Sequence, residues 1–381
     1  MVALLRKKTV LFLLITVLIA GIFTFKTEAL EVSAASAVVF VADSGEILYE
    51  KDAYKRRSMA STTKIMTAVI ALESGRLDDV VTVNDGMIRV EGTSMGLQKG
   101  NRLTLRSLVS GMMLLSGNDA ANAIAVFLGG SEEGFADMMN SKAISLGMRD
   151  TNFVTASGLD DDEHYTSAYD MALLTSYAMR NPDFRRLVSS KKGEVDYISP
   201  AVTHTYYNHN RFLSMYEGAC GVKTGFTKKS GRCLVTAVEK NGNLVIAVTL
   251  NASDDWNDHK KLYDYCFSEG KFSRITDTFD TLIRVTGSDK GSIIASAQYI
   301  PEIFTSEHVG VQTKIYTDKF LYAPVKKGEQ VGFVRFYIDG VCVRETALIA
   351  NEDAYLRDGN GKEKNGVKKF FYEIYKKLSG E

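Results

Sequence analysis

The chain has few cysteines and no pairing pattern among them: Cys220, Cys233, Cys266 and Cys342, with no C-x-x-C. Four in 381 residues are too few for a disulfide scaffold, and none sits in a setting that marks a nucleophile. We expect buried free thiols. Charge of either sign is not in excess, with Lys plus Arg and Asp plus Glu at 46 each. That removes the electrostatic reason to expect nucleic acid as a partner. The histidines form no H-E-x-x-H pair, and the acidic run Asp160–Glu163 beside His164 reads as a surface loop, because adjacent residues rarely face one ion. No metal and no cofactor are expected. No serine lies in a G-x-S-x-G elbow, and no internal repeat is evident.

What is present begins at the N-terminus. Arg6, Lys7 and Lys8 precede an uncharged apolar run from Thr9 to Phe25. Small residues follow at Thr27-Glu28-Ala29 and at Val32-Ser33-Ala34, the outline of a secretory signal. An uncleaved anchor is the other reading, since the run is only slightly short of a full span. We take cleavage and assign residues 1–34 to the signal. Either reading puts the body of the protein outside the cytoplasm.

Three polar clusters then occur in order: Ser61-Thr62-Thr63-Lys64, Ser116-Gly117-Asn118 and Lys223-Thr224-Gly225. S-x-x-K alone carries little, because it recurs at Ser189 to Lys192 and at Ser268 to Lys271. The ordered combination carries the signal. Ser61 and Lys64 share one helix face, so the amine reaches the hydroxyl and acts as its base once burial and nearby positive charge lower its pKa. Lys223 supplies that charge. Ser116 fits a hydroxyl proton relay, and Asn118 an amide that holds substrate backbone. The N–H of Ser61 and the backbone N–H of Phe226 suit a developing oxyanion. Lys223, Thr224 and Gly225 form the substrate side, the first two facing a carboxylate.

The local pattern gives each cluster a place. A hairpin runs from Ser36 to Tyr49, and a buried helix over 61–74 starts at Ser61. A helix over 103–114 leads into the second cluster, and another opens at Asp119. The third cluster lies on a strand over 220–226, followed by antiparallel strands around Asn241-Gly242 and a helix over 258–267. From 272 to 350 short alternating strands replace helices, including a hairpin around Asp339-Gly340. Beyond Asn351 a Gly-rich linker precedes an apolar stripe of Val367, Phe370, Phe371, Ile374, Tyr375 and Leu378 bordered by lysines. That composition suits a helix lying on a membrane surface; the alternative is a helix docked on the protein's own β domain.

The stretches Ala60–Thr67, Ser116–Ala121 and Gly221–Thr227 resemble the low-molecular-mass penicillin-binding proteins, specifically the serine-type D-alanyl-D-alanine carboxypeptidases. Gly147–Arg149, Ser157–Asp160 and Tyr165–Asp170 read likewise, so the resemblance spans about Ser36 to Gly270. It implies an α/β (α+β) fold: a β-lactamase-like transpeptidase domain of antiparallel sheet and helices over 35–270. A small all-β domain over 271–350 and a linker with membrane-associating helix over 351–381 follow. It also implies that Ser61 attacks a peptidoglycan stem peptide ending in D-Ala-D-Ala, releases D-alanine and is acylated by β-lactams at the outer face of the bacterial membrane, beside the cell wall. One departure is the stretch Leu250–Trp256, which lacks the arginine that some relatives place near the substrate carboxylate.

Endopeptidase cleavage of cross-links stays open within the family, and two alternatives to the activity remain at this point. A class A-like β-lactamase shares the three clusters but needs a deacylating glutamate, and no E-x-x-x-N pattern follows Asn118. A non-hydrolytic penicillin-binding scaffold protein would keep the fold without turnover, against which stands the full set of catalytic residues.

Overall fold

The computed structural model describes residues 30–269, 271–274, 279–305 and 310–357. The signal reading up to residue 29 and the lysine-bordered helix at 367–378 lie outside the described residues. No helix among the described residues is long and apolar enough to cross a membrane. Two compact units divide the chain. One holds the described residues up to 39 together with 49–237 and 246–268, and the other holds 40–48, 238–245 and the described residues from 269 onward.

In chain order the strands of the first part are β1 (Ser36–Val41), β2 (Ile47–Lys51), β3 (Val80–Thr82), β4 (Arg102–Thr104), β5 (Lys192–Ser199) and β6 (Val202–Tyr207). Then come β7 (Ala219–Thr227), β8 (Gly231–Lys240) and β9 (Asn243–Ala252). The helices are α1 (Lys64–Glu73), α2 (Asp85–Ile88), α3 (Leu105–Leu115), α4 (Asn118–Gly129) and α5 (Glu132–Ser145). They continue with α6 (Ala168–Met179), α7 (Pro182–Ser189) and α8 (Asp255–Glu269). One sheet runs in the order β2-β1-β9-β8-β7 and a second in the order β3-β4-β5-β6.

The five-stranded sheet forms because β1, β8 and β9 are nearly continuous apolar runs with both faces covered. Asn241-Gly242 closes β8 onto β9 with φ of 51° and 73°, the left-handed pair that a two-residue hairpin of matching twist requires. Helix α1 is buried from Lys64 through Ala71, without an exposed stripe, which makes it a core helix rather than a surface one. The expected helix start at Ser61 is a 3₁₀ turn over Ala60–Thr63 that runs into α1. The tighter turn brings Ser61 and Lys64, three residues apart, onto one side. Strands too short to show alternation, β3 and β4 at three residues each, were not legible in the sequence.

In the second unit β10 (Lys271–Arg274) pairs antiparallel with β13 (Glu302–Thr305). The remaining strands are β11 (Asp280–Thr286), β12 (Ser292–Ala297), β14 (Gln312–Thr317), β15 (Phe320–Tyr322), β16 (Gln330–Ile338) and β17 (Val341–Ala350). They build a six-stranded sheet in the order β14-β16-β17-β12-β11-β15. Its buried face collects Ile283, Val285, Ile293, Val334, Phe336 and Leu348 into one cluster. Asp339-Gly340 makes the hairpin turn between β16 and β17 with φ of 47° and 82°.

All four cysteines are free thiols. Cys233 and Cys266 are buried as expected, whereas Cys220 is half-buried and Cys342 lies exposed. A strand covered on both faces such as β8 buries Cys233 through Val238 without a break, while one that faces solvent on one side, such as β17, does not.

Candidate active site

The site is assembled from three segments of the first unit. Lys64 Nζ stands at the centre, fully buried, and donates to Ser61 Oγ at 2.9 Å, to Asn118 Oδ1 at 2.7 Å and to the Ser157 carbonyl at 2.6 Å. Two of these three partners are carbonyl-type oxygens that only accept. They fix two N–H bonds of the amine. When Lys64 is neutral, the remaining tetrahedral position is a lone pair aimed at the Ser61 hydroxyl.

The neutral form is favoured by the surroundings. Burial, and next the positive charge of Lys223, hold the Lys64 ammonium well below the usual lysine range, with Asp119 opposing them. Lys223 is itself 2% exposed and is pulled down to about 7 by burial. Its Nζ donates to the neighbouring Thr224 carbonyl at 2.9 Å. A substrate carboxylate at that end of β7 would favour the charged form again.

Strand β7 approaches the Ser61 turn closely, and Gly225 is the reason it can. A Cβ at Gly225 would sit 3.0 Å from the Ser61 nitrogen, 3.1 Å from Ala60 Cβ and 3.2 Å from the Met59 carbonyl. Phe226, one residue on, leaves its ring exposed beside the site. Ser116 ends α3 in the left-handed region at φ 63°, ψ 31°, a conformation that turns the chain at once into α4. It is buried, and hydrogen bonds gather Ser61, Lys64 and Asn118 but not Ser116 or Lys223 into one group.

Three supports were given no role in the site by the sequence. The first is the Ser157 carbonyl, 93 residues from the lysine it holds. The second is Asp119, 1% exposed, whose carboxylate accepts from Met95 N at 2.8 Å, Leu97 N at 2.9 Å and Ser94 Oγ at 2.6 Å. It thereby pins the 94–97 loop beside α4. The same loop region meets Asn118, whose Nδ2 donates to the Glu91 carbonyl and whose N–H donates to the Thr93 carbonyl. An acidic residue in the first turn of a helix was the available signal.

The third is His164, set aside in the sequence as the neighbour of an acidic run. Val154 N and Thr155 N donate to its Nδ1 at 2.9 and 3.3 Å, so that nitrogen carries no proton. Nε2 therefore donates to Thr63 Oγ1 at 2.8 Å, and Thr63 Oγ1 donates to the Ala60 carbonyl at 2.8 Å. One buried ring thus joins the 154–158 loop to the turn that carries Ser61. Burial lowers its pKa to about 4, against a smaller opposing pull from Asp161. Gly158 completes the junction: at φ 86°, a Cβ there would lie 2.0 Å from the Ala60 carbonyl. Asp160 through Glu163 are exposed, as read from the sequence, and Asp160 accepts from Thr227 Oγ1 while Asp162 pairs with Lys229.

Residues 23–254 match the family described as D-alanyl-D-alanine carboxypeptidase, and residues 284–355 match the C-terminal domain of penicillin-binding protein 5. The chain is similar to D-alanyl-D-alanine carboxypeptidase DacF of Bacillus subtilis, 30% identical over 349 residues, covering 86% of this chain and 87% of that protein. It is 29% identical over 376 residues to DacA of Escherichia coli, covering 91% and 89% respectively. Among solved structures, DacD from Francisella tularensis superposes with a TM-score of 0.60 at 25% identity, covering 86% of this chain and 95% of that one. The Streptomyces K15 DD-transpeptidase gives 0.59 at 32% identity over 62% of this chain and 98% of its own.

Proposed function

The chain belongs to the serine-type D-alanyl-D-alanine carboxypeptidases, and from that premise we propose that Ser61 is its nucleophile and a peptidoglycan stem peptide ending in D-Ala-D-Ala its substrate. The observation that carries the residue assignment is the buried Lys64 amine, 2.9 Å from Ser61 Oγ and held by two acceptors that cannot donate.

In this reading Lys64 Nζ takes the Ser61 proton as Oγ bonds to the carbonyl carbon of the penultimate D-alanine. The N–H groups of Ser61 and Phe226 receive the developing oxyanion, each worth about 3 kcal/mol of transition-state stabilisation. Collapse breaks the peptide bond, and the departing amine of the terminal D-alanine takes a proton through Ser116 from Lys64. Asn118 holds substrate backbone, while Lys223 and Thr224 take the terminal carboxylate, with Gly225 leaving room for the strand beside Ser61. Water then hydrolyses the ester, and Lys64 accepts the proton of that water. A β-lactam enters the same first step and stays as the acyl-enzyme.

Family membership places the body of the protein outside the cytoplasm. For the finer layout, catalysis is assigned to 35–270, a small β domain to 271–350, and a linker with a membrane-surface helix to 351–381. Release of D-alanine from a pentapeptide ending in D-Ala-D-Ala, compared between wild type and Ser61→Ala, tests the activity and its nucleophile together. Absence of release by the wild type overturns the reading. Truncation after Gly361 tests the tail: soluble, active enzyme is expected, and retention on membranes refutes the anchor.

A further inference from the structure

Asp258, in the first turn of α8, is 2% exposed, and the hydrogen bonds its carboxylate accepts come from two consecutive residues near the start of the chain. Ser33 N donates to Oδ1 at 2.8 Å, Ser33 Oγ to Oδ2 at 2.7 Å and Ala34 N to Oδ2 at 2.9 Å. The same Ser33 hydroxyl accepts from Asp254 N at 2.9 Å, so it also satisfies an N–H just ahead of α8. Flanking residues extend the fastening. Tyr49 Oη donates to the Leu30 carbonyl, Lys51 Nζ to the Val32 carbonyl, and Ala35 N to the Asn251 carbonyl. Val32 and Ala34 are buried at 6% and 0% exposure.

Small residues stand at the first and third positions before a cut after Ala29, and again before cuts after Ala34, Ala35 and Ala37. They differ in what they leave behind. Hydrolysis after Ala34 or beyond removes all three donors, leaves the Asp258 carboxylate to water alone and strips the buried Val32 and Ala34 from the fold. At Ala34 it also cuts a bond whose Ala34 side is wholly buried once the chain has folded. Hydrolysis after Ala29 keeps every contact named above. We propose that the signal is cut between Ala29 and Leu30, so that residues 30–35 stay in the mature protein as a strap on α8. Water supplies the oxygen of the new Ala29 carboxylate and the proton of the new Leu30 amine. The inference rests on export, and its main readout, the N-terminus, is independent of the catalytic assignment.

The full chain, expressed with its own signal in an exporting bacterial host, is purified from the membrane and wall fractions. Its N-terminus is read by sequencing and by intact mass. Leu30 is the expected first residue; a start at Ala35, any other start, or an uncut Met1 overturns the proposal. Ala29→Phe places a large side chain before the bond and is expected to leave the uncut precursor as the main species, still labelled by fluorescent penicillin and therefore folded. A labelled Ala29→Phe protein that begins at Ala35 refutes it equally.

Discussion

Two serine–lysine pairs with the same spacing stand in opposite surroundings. Ser61 and Lys64 sit at the start of a core helix, with the lysine fully buried and three oxygens around its amine. Ser189 and Lys192 straddle the end of α7 and the start of β5, both exposed, and the serine hydroxyl donates back to the Arg186 carbonyl of its own helix turn. The spacing brings the two groups together only where it runs through a helical turn, as at Ser61, and not where the chain passes from α7 into β5. Only the first pair has its ammonium desolvated and set beside a second buried cation, which converts a lysine into a base at neutral pH.

The comparison is broken most sharply at the nucleophile. Ser61→Ala should abolish penicillin labelling and reduce D-alanine release by about 10⁴- to 10⁶-fold. Ser189→Ala should leave both unchanged; parallel assays of the two variants decide it.

Next comes the base. Lys64→Arg keeps the charge but supplies no lone pair, because a guanidinium does not deprotonate in proteins. Acylation should fall by about 10²- to 10⁴-fold, the usual contribution of general acid–base catalysis. Lys192→Arg should not alter it. In the wild type, acylation should rise with pH as Lys64 loses its proton, and this limb should lie well below the range of an ordinary lysine.

His164 sharpens the contrast, since no such ring supports Ser189. Its folded pKa is about 4 against 6.5, so between those values the unfolded chain binds the extra proton and the folded one does not. Stability should therefore fall as pH drops from 6.5 towards 4, by about 3 kcal/mol from this group alone. Protonation would also put a hydrogen on Nδ1, which already accepts from Val154 and Thr155. In His164→Asn, denaturant melts at pH 4.5 and 7 should differ by less than in the wild type. An unchanged difference would remove the ring from the account.

The smallest expected effect is at Gly225. Its alanine variant must move either β7 or the Ser61 turn by a few tenths of an ångström, because the new methyl meets the Ser61 nitrogen at 3.0 Å. Acylation should slow by about tenfold, short of the 100-fold that misplacement by 1 Å brings. Global stability should change little by comparison.

The secondary structure around each cluster was legible because its signals are local. The hairpin turns at Asn241-Gly242 and Asp339-Gly340, the apolar run of α1 and the strand through Lys223 depend on neighbouring residues. The β3-β4-β5-β6 sheet was not, since two of its strands have three residues and its partners lie about a hundred positions apart. Within the site, the spacing of Ser61 and Lys64 and the order of the three clusters were readable. Asp119, His164, Gly158 and the Ser157 carbonyl were not, because a hydrogen bond to a distant backbone leaves no mark on spacing.

The sequence alone determined the chemical inventory: a serine, a lysine three residues on, a Ser-Gly-Asn turn and a Lys-Thr-Gly strand, in the order one family uses. Tertiary structure decided which S-x-x-K is buried, where the third hydrogen bond of Lys64 goes, and that Ser33 and Ala34 belong to the fold. The physical reason is that residue type sets what a group is able to do. Its pKa, its free lone pair and its hydrogen-bond partners depend on the solvent it loses and the distant chain it meets.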